Sequence, residues 1–114
     1  MQLATVNIAP HPNQVDCKRI ERALEQRERY RYVTPHVIPD DEERGYRIES
    51  PCCSRNVEPS GGNIDIAMLK YLNPHWLLYR KDHDYGIWVL HSVVDTLNEA
   101  LDILLPDEER VFWP

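Results

Sequence analysis

Ile64-Asp65-Ile66-Ala67-Met68-Leu69-Lys70-Tyr71 is the stretch whose reading decides the fold. Its first half alternates apolar and polar residues, and its second half is almost wholly apolar, as in a strand buried at the centre of a sheet. The strongest turn of the chain, Pro59-Ser60-Gly61-Gly62-Asn63, precedes it, and Asn73-Pro74 closes it. Beyond that second turn, Trp76-Leu77-Leu78-Tyr79-Arg80 and Ile87-Trp88-Val89-Leu90-His91 flank Asp82–Gly86. Two apolar runs around a loop of about five residues that contains glycine read as a β-hairpin. The register is open by one residue, so alternation alone does not assign the faces.

Upstream, Tyr46-Arg47-Ile48-Glu49 alternates and reads as another strand, which Pro51 ends or bends, and Cys52 to Val57 could extend into a further one. Tyr32-Val33 and His36-Val37-Ile38 are bounded by Pro35 and Pro39, which confines that strand to an edge. The acidic run Asp40–Glu43 is a solvated turn. Residues 13–30 read as a helix with Asn13 or Asp16 as cap, and Cys17, Ile20, Ala23, Leu24 and Arg27 at helical spacing. Its apolar stripe is thin, so the helix belongs over a sheet edge or against a partner. Residues 1–12 form an arm or a short edge strand. Downstream, Thr96 and Glu99 fit a capping box, with Asp95 as a rival cap; Leu97, Ala100, Leu101 and Leu104 form a stripe that Pro106 ends. Phe112 and Trp113 are too apolar for a free tail and are expected to dock, each burying surface worth ~2 kcal/mol or more. The expected fold is α+β: one domain over residues 1–114, an antiparallel sheet of about four or five strands, and a helix towards each end.

Composition narrows the function. The chain has 114 residues, enough for one core, and a net charge of −6. Residues 1–31 hold six basic and four acidic side chains; the remainder holds seven and fifteen. This balance opposes nonspecific nucleic-acid binding, which needs clustered Lys and Arg. No apolar stretch approaches the ~20 residues that cross a bilayer, and Met1 to Pro12 lacks the pattern of a signal peptide. Three cysteines, Cys17, Cys52 and Cys53, two of them adjacent, make a poor disulfide framework. A cytoplasmic location with free thiols is the expectation.

The spacing of Lys70-Tyr71, Trp76-x-Leu78-Tyr79-Arg80, Trp88-x-Leu90, Thr96-Leu97-x-Glu99-Ala100-Leu101 and Phe112-Trp113 resembles that of short bacterial proteins in domain-of-unknown-function family 3024. Leu24-x-Gln26-Arg27 is a looser counterpart. The resemblance covers the C-terminal two-thirds or so of the chain, and Pro51-Cys52-Cys53-Ser54-Arg55-Asn56 departs from the family's pattern. It implies a small antiparallel sheet with helices and transfers no function.

Several constellations carry candidate chemistry. Cys52 and Cys53 beside Arg55 could hold a lowered-pKa thiol, nucleophilic or redox-sensing. The spacing is that of neither a phosphatase loop nor a CxxC motif, and buried packing explains the cysteines as simply. His75, His83 and His91 could meet across the hairpin around a metal, but their eight-residue gaps lack compact ligand spacing. Asp82-His83-Asp84 with Ser92 contains the residue types of a hydrolase relay without a nucleophile elbow. Arg19, Arg22, Arg27, Arg29 and Arg31 with Tyr30 and Tyr32 are interrupted by glutamates and read as a solvated helix face. Tyr71, Trp76, Tyr79, Arg80 and Trp88 either build the core or expose an interface, with Arg80 over Trp88 as a cation–π pair. With no metal site and no cofactor assigned, the leading expectation is a non-enzymatic accessory or protein-interaction domain that self-associates as a homodimer. The alternatives are a thiol-dependent enzyme or redox sensor at Cys52, Cys53 and Arg55, and a metal-binding module.

Overall fold

The computed structural model describes residues 10–27, 33–51 and 62–113. Within them, α1 (Gln14–Leu24) is followed by β1 (His36–Asp40), β2 (Gly45–Pro51), β3 (Asn63–Leu72), β4 (His75–Asp82), β5 (Ile87–Val94) and α2 (Leu97–Leu104). The five strands form one antiparallel sheet in the order of the sequence, with β3 at its centre. The α+β expectation holds, with five strands and the two helices. Short antiparallel connections account for the simple order: Asn73-Pro74 joins β3 to β4, and residues 83–86 join β4 to β5.

Both helices cover the same face of the sheet. α1 lies over β1, and α2 over β4 and β5. Ile20 and Leu24 of α1 and Leu97, Ala100, Leu101 and Leu104 of α2 share a core with Tyr46, Ile48, Leu69 and Leu78 of the strands. Phe112 and Trp113 dock into the same core, each 2% exposed. The Trp113 indole N–H donates to the Leu104 carbonyl at 3.1 Å, satisfying an acceptor at the end of α2.

The caps fall where the side chains permit. Asn13, not Asp16, caps α1: its Oδ1 accepts from the Asp16 N–H at 2.8 Å. Thr96, not Asp95, caps α2; its Oγ1 accepts from the Glu99 N–H at 3.1 Å and donates to the Glu99 carboxylate at 3.0 Å. α1 ends at Leu24, short of the expected run to 30, of which residues 28–30 lie outside the described ones. Beyond Leu24 the Arg27 guanidinium takes over: it donates to the Leu24 carbonyl at 2.6 Å and also to the Val33 carbonyl. A guanidinium that caps the last turn cannot also extend the apolar stripe.

Two bulges shape the faces. Ile48 pairs with Ala67 and Glu49 with Asp65, which leaves Ile66 as the extra residue in β3. Leu78 pairs with Ser92 and Tyr79 with Leu90, which leaves His91 extra in β5. A bulge sends two consecutive side chains to one side of the sheet. Ile66 and Ala67 therefore both enter the core, each 0% exposed, and His91 and Ser92 both turn towards the helices.

Candidate interaction face

The register now assigns the faces that alternation left open. On the side away from the helices, three rows cross the sheet. Glu49, Asp65, Lys81 and Trp88 form one; Ile38, Arg47, Met68, Tyr79 and Leu90 form the second; Lys70, Leu77 and Val93 follow in the third. Charge and apolarity separate along these rows. On β2 and β3, Arg47 donates to Asp65 at 3.1 Å and is also bonded to Glu49, and Lys81 reaches Asp65 at 3.3 Å. Lys70 pairs with Glu43 at 2.8 Å and lies 5.5 Å from the centre of the Tyr79 ring. Towards β5 the face is apolar: Leu77, Tyr79, Trp88, Leu90 and Val93. Leu90 is 48% exposed and Val93 54%. Among the described residues, no helix covers this side.

Of the five residues expected at an interface, the sheet divides them. Tyr79 and Trp88 stand on the open face. The cation over Trp88 is Lys81, 4.7 Å from the ring centre, rather than Arg80. Arg80 pairs with Val89 and Ala67 and so faces the helix side; a one-residue error of register exchanges the two neighbours. Tyr71 and Trp76 also face the helix side, where their ring centres lie 5.3 Å apart with the planes tilted by 58°. Trp76 is buried, 6% exposed, and commits its ring to the core.

Tyr71 and Trp76 belong to a second cluster that sequence reading missed. The His11 ring sits 4.7 Å from Tyr71 and 5.1 Å from Trp76. Tyr46 accepts a hydrogen bond from the Asn13 N–H at 2.9 Å and its hydroxyl meets His11 Nδ1 at 2.8 Å. Burial lowers the pKa of His11 and pushes that of Tyr46 up to about 12. A neutral imidazole then offers Nδ1 as acceptor to a hydroxyl that stays protonated. This arrangement pins the start of α1 to β2. The same entry to α1 borders an open groove of about 410 Å³ walled by Pro12, Cys17, Glu21, Pro39 and Asp41. Cys17 is a poor nucleophile there, because burial and then Glu21 raise its pKa.

The other constellations are distributed across the fold. His75 meets Asp95 at 3.1 Å at one end of the sheet. His83 lies in the β4–β5 turn, where Asp82 Oδ1 accepts from the N–H groups of Asp84 and Tyr85 at 3.0 and 3.2 Å. That side-chain turn is a structural use of the Asp82-His83-Asp84 sequence. His91 is in the β5 bulge, with Ser92 Oγ 2.5 Å from Nδ1 and Glu109 Oε1 2.8 Å from Nε2. A carboxylate only accepts, so Nε2 carries the proton and Nδ1 accepts from Ser92. Ser92 thus reaches His91 rather than His83, yet the neighbouring backbone donors are already spent. The N–H groups of Val111, Phe112 and Trp113 all donate to the buried Asp107 carboxylate, at 2.8, 3.2 and 2.9 Å. The array fastens β5 to the C-terminal turn. No group of three His, Cys, Asp or Glu among the described residues converges on a metal position. Cys52, Cys53 and Arg55 lie outside the described residues, as do Arg29, Tyr30, Arg31 and Tyr32.

The family model described as a domain of unknown function, DUF3024, matches residues 8–114. The chain belongs to the DUF3024 family. The match extends well beyond the C-terminal two-thirds expected from the aromatic spacing and spans the Pro51–Asn56 segment read as a departure. No curated protein and no solved structure matches the chain. Among its described residues, no helix of this DUF3024 domain is long and apolar enough to cross a membrane. The family brings no activity with it.

Proposed function

We propose that this DUF3024 chain is a single-domain, non-enzymatic accessory protein of the bacterial cytosol. It works by protein contact, including contact with its own copies, through the open face of the sheet. The observation that carries the reading is the apolar half of that face, Leu77, Tyr79, Trp88, Leu90 and Val93, with half of the Leu90 and Val93 surface left in water. Contiguous apolar surface of this kind is uncommon on a soluble monomer and marks sites of association. Tyr and Trp are the residue types that concentrate interface energy, and here each ring is held in place by a lysine. Light scattering over a range of protein concentrations tests the reading. The mass is expected to rise with concentration, and the double substitution Tyr79→Ser with Trp88→Ser is expected to suppress the rise while circular dichroism stays unchanged. A strict monomer at millimolar protein would refute it.

A further inference from the structure

The sheet's two edges differ in a way that selects a partner. β1 is guarded: it has five residues, contains Pro39 and follows Pro35. Proline withholds an N–H, and a short strand gives an incoming strand little to pair with. β5 is the other edge among the described residues. Its eight residues, Ile87-Trp88-Val89-Leu90-His91-Ser92-Val93-Val94, include no proline, lysine or other permanently charged side chain, in a chain that is 28% charged. The apolar half of the open face runs up to this edge, and Trp88, Leu90 and Val93 are its last column. Among the described residues its protective device is the bulge at His91, which leaves Ile87–Leu90 as the regular segment.

Resting on the reading above, the geometry points to a second copy of this chain as the occupant of that edge. The two β5 strands run antiparallel about a two-fold axis and join the five-stranded sheets into one continuous sheet. An axis perpendicular to the sheet keeps each face on its own side, so directly opposed residues must share a face. An axis through Val89 meets that condition and sets Trp88 of each copy beside Leu90 of the other. The two apolar half-faces then merge into one patch at the centre of the assembly.

Electrostatics favours a second copy over an unrelated charged strand. Copies carrying a net charge of −6 repel, so self-association needs a contact free of like charge, and β5 provides one. A basic partner would find no carboxylate on β5. Those nearby on the open face, Glu49 and Asp65, are already engaged by Arg47 and Lys81.

Amide hydrogen exchange followed against protein concentration tests the pairing. Exchange within Ile87–Leu90 is expected to slow as concentration rises, while His36–Asp40 of β1 is unaffected. Leu90→Lys is expected to weaken the dimer by about tenfold or more, and His36→Lys on the opposite edge to leave it intact. A dimer whose β5 amides exchange at one rate at all concentrations overturns this pairing but leaves the open face as an interaction surface. So does a dimer broken by His36→Lys and spared by Leu90→Lys. A strict monomer overturns both.

Discussion

His11 shows how one residue can serve a fold without any periodic signal. It lies outside every strand and helix, yet its ring is packed by Tyr71 and Trp76 and its Nδ1 meets the Tyr46 hydroxyl. Burial lowers its pKa from 6.5, and the nearby Asp16 offsets this only in part. His83 is lowered as well, by burial and then by Lys81. As pH falls through 6.5, the unfolded chain takes up protons that the folded chain resists, so folding weakens. Above 6.5 both states are neutral and the effect vanishes. Thermal melts between about pH 7 and pH 5 are expected to show a falling midpoint. His11→Phe, which keeps the ring but cannot take a proton, is expected to flatten that fall. An unchanged slope would remove His11 from the account. Nothing in the sequence announced this residue, because a contact spanning thirty-five positions leaves no local pattern. Asp107 was hidden for a related reason: nothing in the acidic run Asp107-Glu108-Glu109 marks its first carboxylate as the acceptor of three backbone donors.

At the scale of elements, the best-read parts were those whose signals are local. The Thr96 cap, the α2 stripe, the edge position of β1 and the turn at Asn73-Pro74 depend on neighbours a few residues away, and they stand as expected. The faces of the hairpin were not legible, because a bulge breaks the period on which such reading depends. The turn at residues 83–86 sets Asp82 against Ile87 and so puts Lys81, not Arg80, beneath Trp88, while the bulge at His91 shifts the register beyond Leu90. The end of α1 was lost because Arg27 falls at helical spacing yet serves as a cap. Gly45 was passed over entirely. A Cβ there would stand 2.3 Å from the Leu69 carbonyl oxygen, so β2 could keep its register only by moving off the central strand. Gly45→Ala is expected to cost about 1–3 kcal/mol in chemical denaturation. A loss within error would mean that the strands separate there at no cost.

For the whole molecule, the candidate site was half visible. The aromatic set was recognised in the sequence, but not that the sheet would divide it, with Trp76 and Tyr71 inside and Tyr79 and Trp88 outside. Among the described residues the helices layer one side of the sheet, which decides that partition, and no strand pattern encodes it. The same asymmetry bears on the proposed association. Copies with a net charge of −6 that pair through β5, a strand without permanently charged side chains, should have their repulsion relieved by salt without loss of attraction. Raising ionic strength from about 0.05 M to 0.5 M is expected to tighten self-association. An assembly held by ion pairs would loosen instead, and sedimentation at the two salt concentrations separates these outcomes.

The bulge at Ile66 also bears on tolerance to changes in chain length. Losing one residue from a central strand normally inverts the orientation of everything beyond it. Here Ile64, Ala67 and Leu69 point inward while Asp65 and Met68 point outward. Excising Ile66 would therefore leave a flawless alternation and sacrifice one aliphatic side chain. Single-residue gaps among DUF3024 relatives should accordingly collect around positions 66 and 91, inside strands where such gaps otherwise invert the faces.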